Sequence, residues 1–481
     1  MDAIKKNEFP KGWLDIVLDD ILLTLESGKR PEGGVSGITE GIPSLGGEHL
    51  NFNGKFNVDN MRYVPTEFAS SMLKGQIQIN DILVVKDGAT TGKTSFVSSD
   101  FPFKNAVINE HIFLCRTSRK IDQKFVFYFM WSSIGQKRIL SNFKGTAQGG
   151  INTSFVHNTS LPIAPRPEQH RIVAKIEELF SELDNGIESL KKAREQLKTY
   201  RQAVLKYAFE GKLAKEWRTQ QIQSGNPPEP EELPELPEGW KCEQIKEITT
   251  VLGDGLHGTP IYSDEGDYYF INGNNLSDGK IEIKENTNRV TIEEYEKYKK
   301  PLSENTVLVS INGTLGNTAF YNGEKVILGK SACYFNLLNA IDKHYIRYYI
   351  TSQRFINYAY KNATGSTIKN VSLKAMREFE IPIPPTLEEQ QAIVSEIESR
   401  LSVCDQIEQT IEDSLKKAEA LRQSILKKAF AGDLTKDWRE KHPELITGEN
   451  SAEKLLEKIK TEKALSASGR KKPRSRKTKK K

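Results

Sequence analysis

Apolar residues recur along two stretches of the chain in steps that alternate between three and four. The first runs Ile172, Ile176, Leu179, Leu183, Leu190, Ala193, Leu197, Tyr200 and Val204; the second runs Ile393, Ile397, Cys404, Ile407, Ile411, Ala418, Leu421 and Ile425. Charged residues fill the positions between them. Such spacing brings the apolar positions to one face of an α-helix, so each stretch predicts a long helix with a narrow seam. Gly186 occupies the one heptad slot left empty in the first helix, and Ile407 fills that slot in the second. The ends carry matching signals. Pro167 suits a first helical turn, Thr386 and Glu389 have capping-box spacing, and Gly211 and Gly432 stand where C-terminal caps belong. Each helix is expected to run about 42 residues, roughly 60 Å at 1.5 Å per residue. A seam sustained this far predicts antiparallel pairing of the two helices, through Ile172, Ile176, Leu179, Leu183, Leu190, Leu197, Val204, Ile393, Ile397, Ile407, Ile411, Leu421 and Ile425. Burial of each helix along its own domain is the plainer alternative.

The two helices are copies. "EQHRIVAKIEELFSELD" begins at Glu168 and "EQQAIVSEIESRLSVCD" at Glu389, 221 residues later; the same offset relates "YRQAVLKYAFEGKLAKEWR" to "LRQSILKKAFAGDLTKDWR". The preceding regions also correspond. "FPKGW" (9–13) matches "LPEGW" (236–240), "DILVVKDGATTGKTSF" matches "TVLVSINGTLGNTAFY", and "GTAQGGIN" matches "TGSTIKN". One unit, a variable domain plus a helix, is therefore written twice. The segments are 1–160 (first domain), 161–220 (first long helix), 221–236 (linker), 237–380 (second domain), 381–440 (second long helix) and 441–481 (a C-terminal helix and a disordered basic tail). The linker "SGNPPEPEELPELPEG" is too rich in Pro and Glu to build a core.

The stretch "KDGATTGKT" resembles a phosphate-binding loop, but the spacing is wrong. Such a loop needs four residues between its first glycine and Gly-Lys-[Ser/Thr], whereas Gly88 and Gly92 enclose three. One position earlier stands Asp87, whose carboxylate would repel phosphate. The second copy, Gly313-Thr314-Leu315-Gly316-Asn317-Thr318, lacks the lysine. Both copies predict a glycine turn between two strands. No catalytic group is identifiable. Neither Asn226-Pro227-Pro228-Glu229 nor Ile383-Pro384-Pro385-Thr386 has the aromatic residue that a base-flipping adenine methyltransferase stacks on its target. Glu282 and Lys284 lack an upstream Pro-Asp and are expected on an exposed strand face, and the seven histidines show no metal-ligand spacing.

Composition changes the picture in one place. The net charge of +5 arises from 69 Lys and Arg against 64 Asp and Glu, but nine of the twelve residues from Arg470 to Lys481 are basic; without those nine, 60 face 64. The body is thus slightly acidic, and the cationic character belongs to the tail. The scattered cysteines Cys115, Cys242, Cys333 and Cys404 predict neither a zinc site nor a disulfide framework. With no apolar run of membrane length and no apolar signal core in MDAIKKNEFPKGW, a cytoplasmic protein is expected.

The combination of "PIPP…EQ…IV.EIE" before a heptad helix, "AFxGxLxxxWR" after it, and two glycine-turn domains resembles the specificity subunit of type I restriction–modification enzymes, over nearly the whole chain. That resemblance implies an α+β fold, with two globular mixed α/β target recognition domains separated by two long antiparallel coiled-coil helices in a pseudo-twofold repeat. It implies a non-catalytic subunit in which each domain reads half of a bipartite, asymmetric site in double-stranded DNA. The helices would set the spacer and dock two modification (methyltransferase) subunits, joined by two restriction (ATP-dependent translocase and nuclease) subunits. This chain would bind no cofactor; S-adenosylmethionine, ATP and Mg²⁺ would serve the partners. No membrane is involved. A coiled-coil scaffold joining protein partners is the competing reading, and a stand-alone enzyme a third.

Base reading needs hydrogen-bonding side chains on loops, with cations for phosphates. The candidates in the first domain are Lys29, Arg30, Lys86, Thr90, Lys93, Thr94, Lys144, Gln148 and Asn152. In the second they are His257, Thr259, Asn312, Thr314, Asn317, Ser366, Thr367, Lys369 and Asn370. Each alone could be an ordinary turn residue; the candidacy rests on matching places in both copies. The first set is richer in Lys and Arg, the second in Asn and Thr.

Overall fold

The structure, a computed structural model, describes residues 9–145, 149–213 and 236–469. Gln148, most of the Pro/Glu linker and the basic tail lie outside the described residues. The chain forms two compact units, one of Met1–Ser189 with Ser414–Lys481 and one of Leu190–Asp413.

In the first unit, strands Leu22–Ser27, Ile112–Thr117, Ile82–Val85 and Thr94–Phe96 form, in that order, an antiparallel sheet. The run Ile82-Leu83-Val84-Val85 is apolar throughout because both faces are covered. Ile82 and Val84 join the core containing the helices, whereas Leu83 and Val85 pack beneath a smaller sheet of Tyr63–Val64, Ile42–Leu45 and Val107–Ile108. The second unit repeats this. Strands Thr249–Asp254, Ala332–Leu337, Thr306–Ser310 and Thr318–Phe320 form the larger sheet, with Val307 and Val309 on one side and Leu308 on the other. Even the irregularity is copied: the first strand of each sheet slips register, between Leu22 and Thr24 and between Thr249 and Val251. Both glycine turns are hairpins, joining Ile82–Val85 to Thr94–Phe96 and Thr306–Ser310 to Thr318–Phe320.

Between the sheet and the long helix the first unit has two short helices, Gln123–Trp131 and Ser133–Leu140. Ser132 ends one and caps the next, its Oγ accepting from the Gly135 N–H at 3.1 Å. The second unit has the matching pair, Lys343–Ile350 and Gln353–Asn362. Glu282 and Lys284 lie outside any strand, since the short strand there ends at Ile281.

The long helices span Arg166–Phe209 and Leu387–Ala431, 44 and 45 residues. Gly211 and Gly432 follow them at φ +72° and +81°, the left-handed conformation of a glycine C-cap. The compact units do not follow the sequence repeat: each contains half of both helices. In the first, Ile172, Ile176 and Phe180 share a core with Ile425, Leu426, Ala429 and Phe430, and Arg422 pairs with Asp184. In the second, Leu205, Ala208 and Phe209 share a core with Ile393, Val394 and Ile397, and Arg201 reaches Asp405 at 2.7 Å and Glu408 at 2.8 Å. Within each unit the helix segments therefore run antiparallel.

Burial along the seam is selective. Ile397, Cys404, Ile411, Ala418 and Ile425 are buried at strict seven-residue steps; in the first helix Ile176, Leu197 and Val204 of the equivalent heptad slot are buried, while Leu183 and Leu190 between them, and Leu179, are half-buried. Ile407 and Leu421, expected on the seam, are 44% and 50% exposed. Along the middle of the second helix one position per heptad is fully covered, and Ile407 and Leu421, three residues on from Cys404 and Ala418, face outward. Gly186 meets nothing within 4 Å of where a Cβ would be.

The repeated Gly-Trp and Glu-Gln pairs explain how each domain is held to its helix. The Trp13 indole N–H donates to Glu168 Oε2 (2.8 Å), and that of Trp240 to Glu389 Oε1 (3.0 Å). The next residue, Gln169 or Gln390, accepts the N–H of Asp122 or Asp342 at 2.9 and 2.8 Å. Those aspartates cap the helices Gln123–Trp131 and Lys343–Ile350. All four helix residues are buried, so the polar groups are satisfied inside the core.

Candidate nucleic-acid interface

Three strand ends of the larger sheet meet at one edge in each unit, and the loops that leave them converge there. In the first unit the loops follow Ser27 and Val85 and precede Ile112; the segment that ends at Ile151 joins them. The Gly88 N–H donates to the Gly149 carbonyl (3.3 Å), the Ile151 N–H to the Lys86 carbonyl (2.8 Å), and the Lys86 N–H to the His111 carbonyl (2.8 Å). The second unit has the same lattice: the Gly313 N–H donates to the Lys369 carbonyl (2.9 Å), Val371 to Ile311 (2.8 Å) and Ile311 to Ser331 (2.9 Å). Glycine is required at the start of each. A Cβ on Gly28 would stand 1.7 Å from the Ile108 carbonyl oxygen, and one on Gly255 2.1 Å from that of Leu328. This backbone match sets the register of the two segments: Gly150-Ile151 is equivalent to Asn370-Val371.

The side chains divide between surface and scaffold. Lys29, Lys144, Thr259, Thr314, Ser366 and Thr367 are exposed at the loops, with Thr90, Asn312, Asn317, Lys369 and Asn370 half-buried. Arg30 is exposed but tied to Glu110 (3.0 Å), and Lys86 donates to the Glu110 carbonyl (2.7 Å). His257 meets Asp254 at 2.7 Å. The Lys93 ammonium stands 4.5 Å from the Phe52 ring centroid, and its partial burial pulls its pKa below the ordinary lysine value. Thr94 is a correction: it is buried, its hydroxyl donates to the Gly92 carbonyl (2.9 Å), and it accepts from Gln136 (3.2 Å). Asn152 is engaged in a turn, its Oδ1 accepting from the Ser154 N–H at 3.0 Å.

Both copies of this edge fall within a family of known sequences. The sequence profile described as the type I restriction modification DNA specificity domain matches residues 42–198 and 237–417, one match per copy. The chain belongs to that family. Among the family's curated members, the EcoKI specificity subunit of Escherichia coli strain K12 is 28% identical over 437 residues, covering 89% of each chain. The EcoDI specificity subunit of Escherichia coli is 28% identical over 389 residues, 74% of this chain and 80% of that one. The fold is also similar to a chain in a solved type I R-M system (TM-score 0.62, 19% identity, 89% of this chain and 99% of that one). The HsdS subunit from Thermoanaerobacter tengcongensis matches with a TM-score of 0.55, at the same identity and coverage.

This specificity-family member places residues at its loop edge that the sequence did not single out. His111 Nδ1 lies 2.5 Å from Asp87 Oδ1 and its Nε2 lies 3.3 Å from Glu110 Oε1. In the second unit the equivalent segment is Gly329-Lys330-Ser331, which puts the exposed Lys330 where the first unit has Glu110. Neither segment carries a glycine-turn signature of its own, and only the register against Lys86 and Ile311 reveals them. Among the described residues no group of three or more His, Cys, Asp or Glu could hold a metal ion, and no helix is long and apolar enough to cross a membrane.

Proposed function

We propose that this chain is the DNA sequence-specificity subunit of a type I restriction–modification complex and performs no chemistry itself. Each loop edge reads one half of a bipartite, asymmetric site in double-stranded DNA. The observation that carries this reading is the loop lattice, built twice with the same backbone hydrogen bonds and furnished with different side chains. A common scaffold with differing tips suits two readers of different half-sites. Exposed Lys29 and Lys144 and half-buried Lys93 serve phosphates, which position the duplex, while amides and hydroxyls serve base edges.

The long helices act as the spacer between the half-sites, and their outward slots dock the modification subunits. Tyr200, Tyr207, Val403 and Ile407 support this, since all four are apolar or aromatic residues 44–53% exposed on helix surfaces. S-adenosylmethionine, ATP and Mg²⁺ are used by the modification and restriction partners.

Gel-shift titration of the purified methyltransferase complex tests the reading. The complex should bind duplexes carrying its site far more tightly than random sequence at physiological salt. Replacing Lys29, Lys93 and Lys144 with Ala should flatten the salt dependence, by about 0.9 in the log–log slope for each phosphate that is no longer neutralised. A complex without preference among sequences would instead support a scaffold.

A further inference from the structure

The second unit's loop edge carries an aliphatic residue where a solvent-facing turn ordinarily places a polar one. Strands Ala363–Thr364 and Asn370–Val371 form a short hairpin whose turn runs through Gly365, Ser366, Thr367, Ile368 and Lys369. Gly365 adopts φ +90°, and a Cβ there would stand 2.3 Å from the Ile368 carbonyl oxygen, so the turn is tight. It is held against the glycine turn by the pairing of Asn312 with Asn370 and by the Gly313 N–H on the Lys369 carbonyl (2.9 Å). Ile368 is 62% exposed in this fixed setting, in the turn that leads into Asn370, whose backbone pairs with Asn312. Among the described residues no hydrogen bond engages the side-chain amide of Asn312 or Asn370.

We propose that this edge reads A·T pairs, with Ile368 packed on a thymine C5-methyl group. The inference rests on the DNA-reading function above. The chemistry is complementary on both members of the pair. Adenine presents N7 and N6 in the major groove, which a side-chain amide matches by accepting and donating together, and thymine alone presents a methyl group there. Phosphate offers nothing to an isoleucine, so exposure of Ile368 at a phosphate-binding edge would leave its apolar surface in water. The first unit's edge carries the charged side chains Arg30, Lys86, Glu110 and His111.

The test uses the intact methyltransferase complex and its recognition duplex, identified by sequencing modified host DNA. Deoxyuridine, which lacks only the methyl group, replaces each thymine of the second half-site in turn. At one position the substitution should weaken binding about four-fold, the effect of withdrawing one methyl-sized group from an apolar environment. Ile368→Ala should weaken binding to the thymine duplex and become indifferent to deoxyuridine at that position, with an unchanged thermal unfolding profile. Uracil substitutions without effect, an undiminished uracil penalty in Ile368→Ala, or a second half-site lacking A·T pairs would overturn the proposal. Failure of the underlying reading looks different: the wild-type complex would then not distinguish its site from random DNA at all.

Discussion

At the residue scale, the join between domain and helix depends on a buried carboxylate with a full set of partners. Glu168 is fully buried and accepts from Trp13, from the Thr435 hydroxyl at 2.7 Å and from Arg439 Nε at 2.8 Å. Arg439→Ala would leave that carboxylate without its cation, at a cost of about 3–5 kcal/mol. Lys175→Ala, which breaks the exposed pair with Glu178, should cost less than about 1 kcal/mol. Thermal denaturation of the two variants separates these outcomes. His49 gives a pH-dependent test. Burial lowers its pKa, and its Nδ1 accepts from the Gly46 N–H at 2.8 Å. The unfolded chain therefore takes up the proton first, so this contribution is intact above the ordinary histidine pKa of about 6.5 and is lost as pH falls below it. Unfolding midpoints measured between about pH 7.5 and 5.5 should fall less steeply in His49→Gln than in the wild type. None of these partnerships was legible in the sequence. Trp13 and Glu168 stand 155 residues apart, and only their joint repetition as Trp240 and Glu389 marked them.

At the element scale, the helices and hairpins were legible because their signals are local: heptad spacing, glycine turns and continuous apolar strands. What the sequence concealed was the partner of each helix end. Phe430 closes the second repeat in sequence yet packs on Phe125 and Phe129 of the first domain, with ring centroids 5.2 Å apart in both cases. Phe209 closes the first repeat yet packs on Tyr345 and Tyr349 of the second domain, at 5.2 and 4.7 Å. Phe430→Ala should cost about 3–5 kcal/mol, and hydrogen exchange should show reduced protection in residues 112–131, not in the second domain. Phe209→Ala should do the reverse. The seam makes a further distinction: Ile411→Ala is expected to cost about 2–5 kcal/mol, whereas the exposed Leu421→Ala should stay within about 0.5 kcal/mol. The heptad rule alone could not separate them, because both positions fit a stripe and only packing decides which slot is covered.

At the scale of the whole molecule, duplication is the fact from which the rest follows. Two loop edges share a backbone lattice and differ in chemistry, and both long helices run from one compact unit into the other. The division falls between Ser189 and Leu190 in one helix and between Asp413 and Ser414 in the other. The repeat was plain in the sequence, but the register of "GTAQGGIN" on "TGSTIKN" was not: the strings differ in length and residues, and the backbone hydrogen bonds that match Gly149 to Lys369 and Ile151 to Val371 fix it. The central claim is that the helices set the distance between two independently read half-sites. Its most direct measurement is sequencing of the methylated sites in host DNA after whole helical turns are inserted beside Leu190. Unchanged half-sites separated by a longer gap are expected; altered half-sites with the original gap would contradict the account.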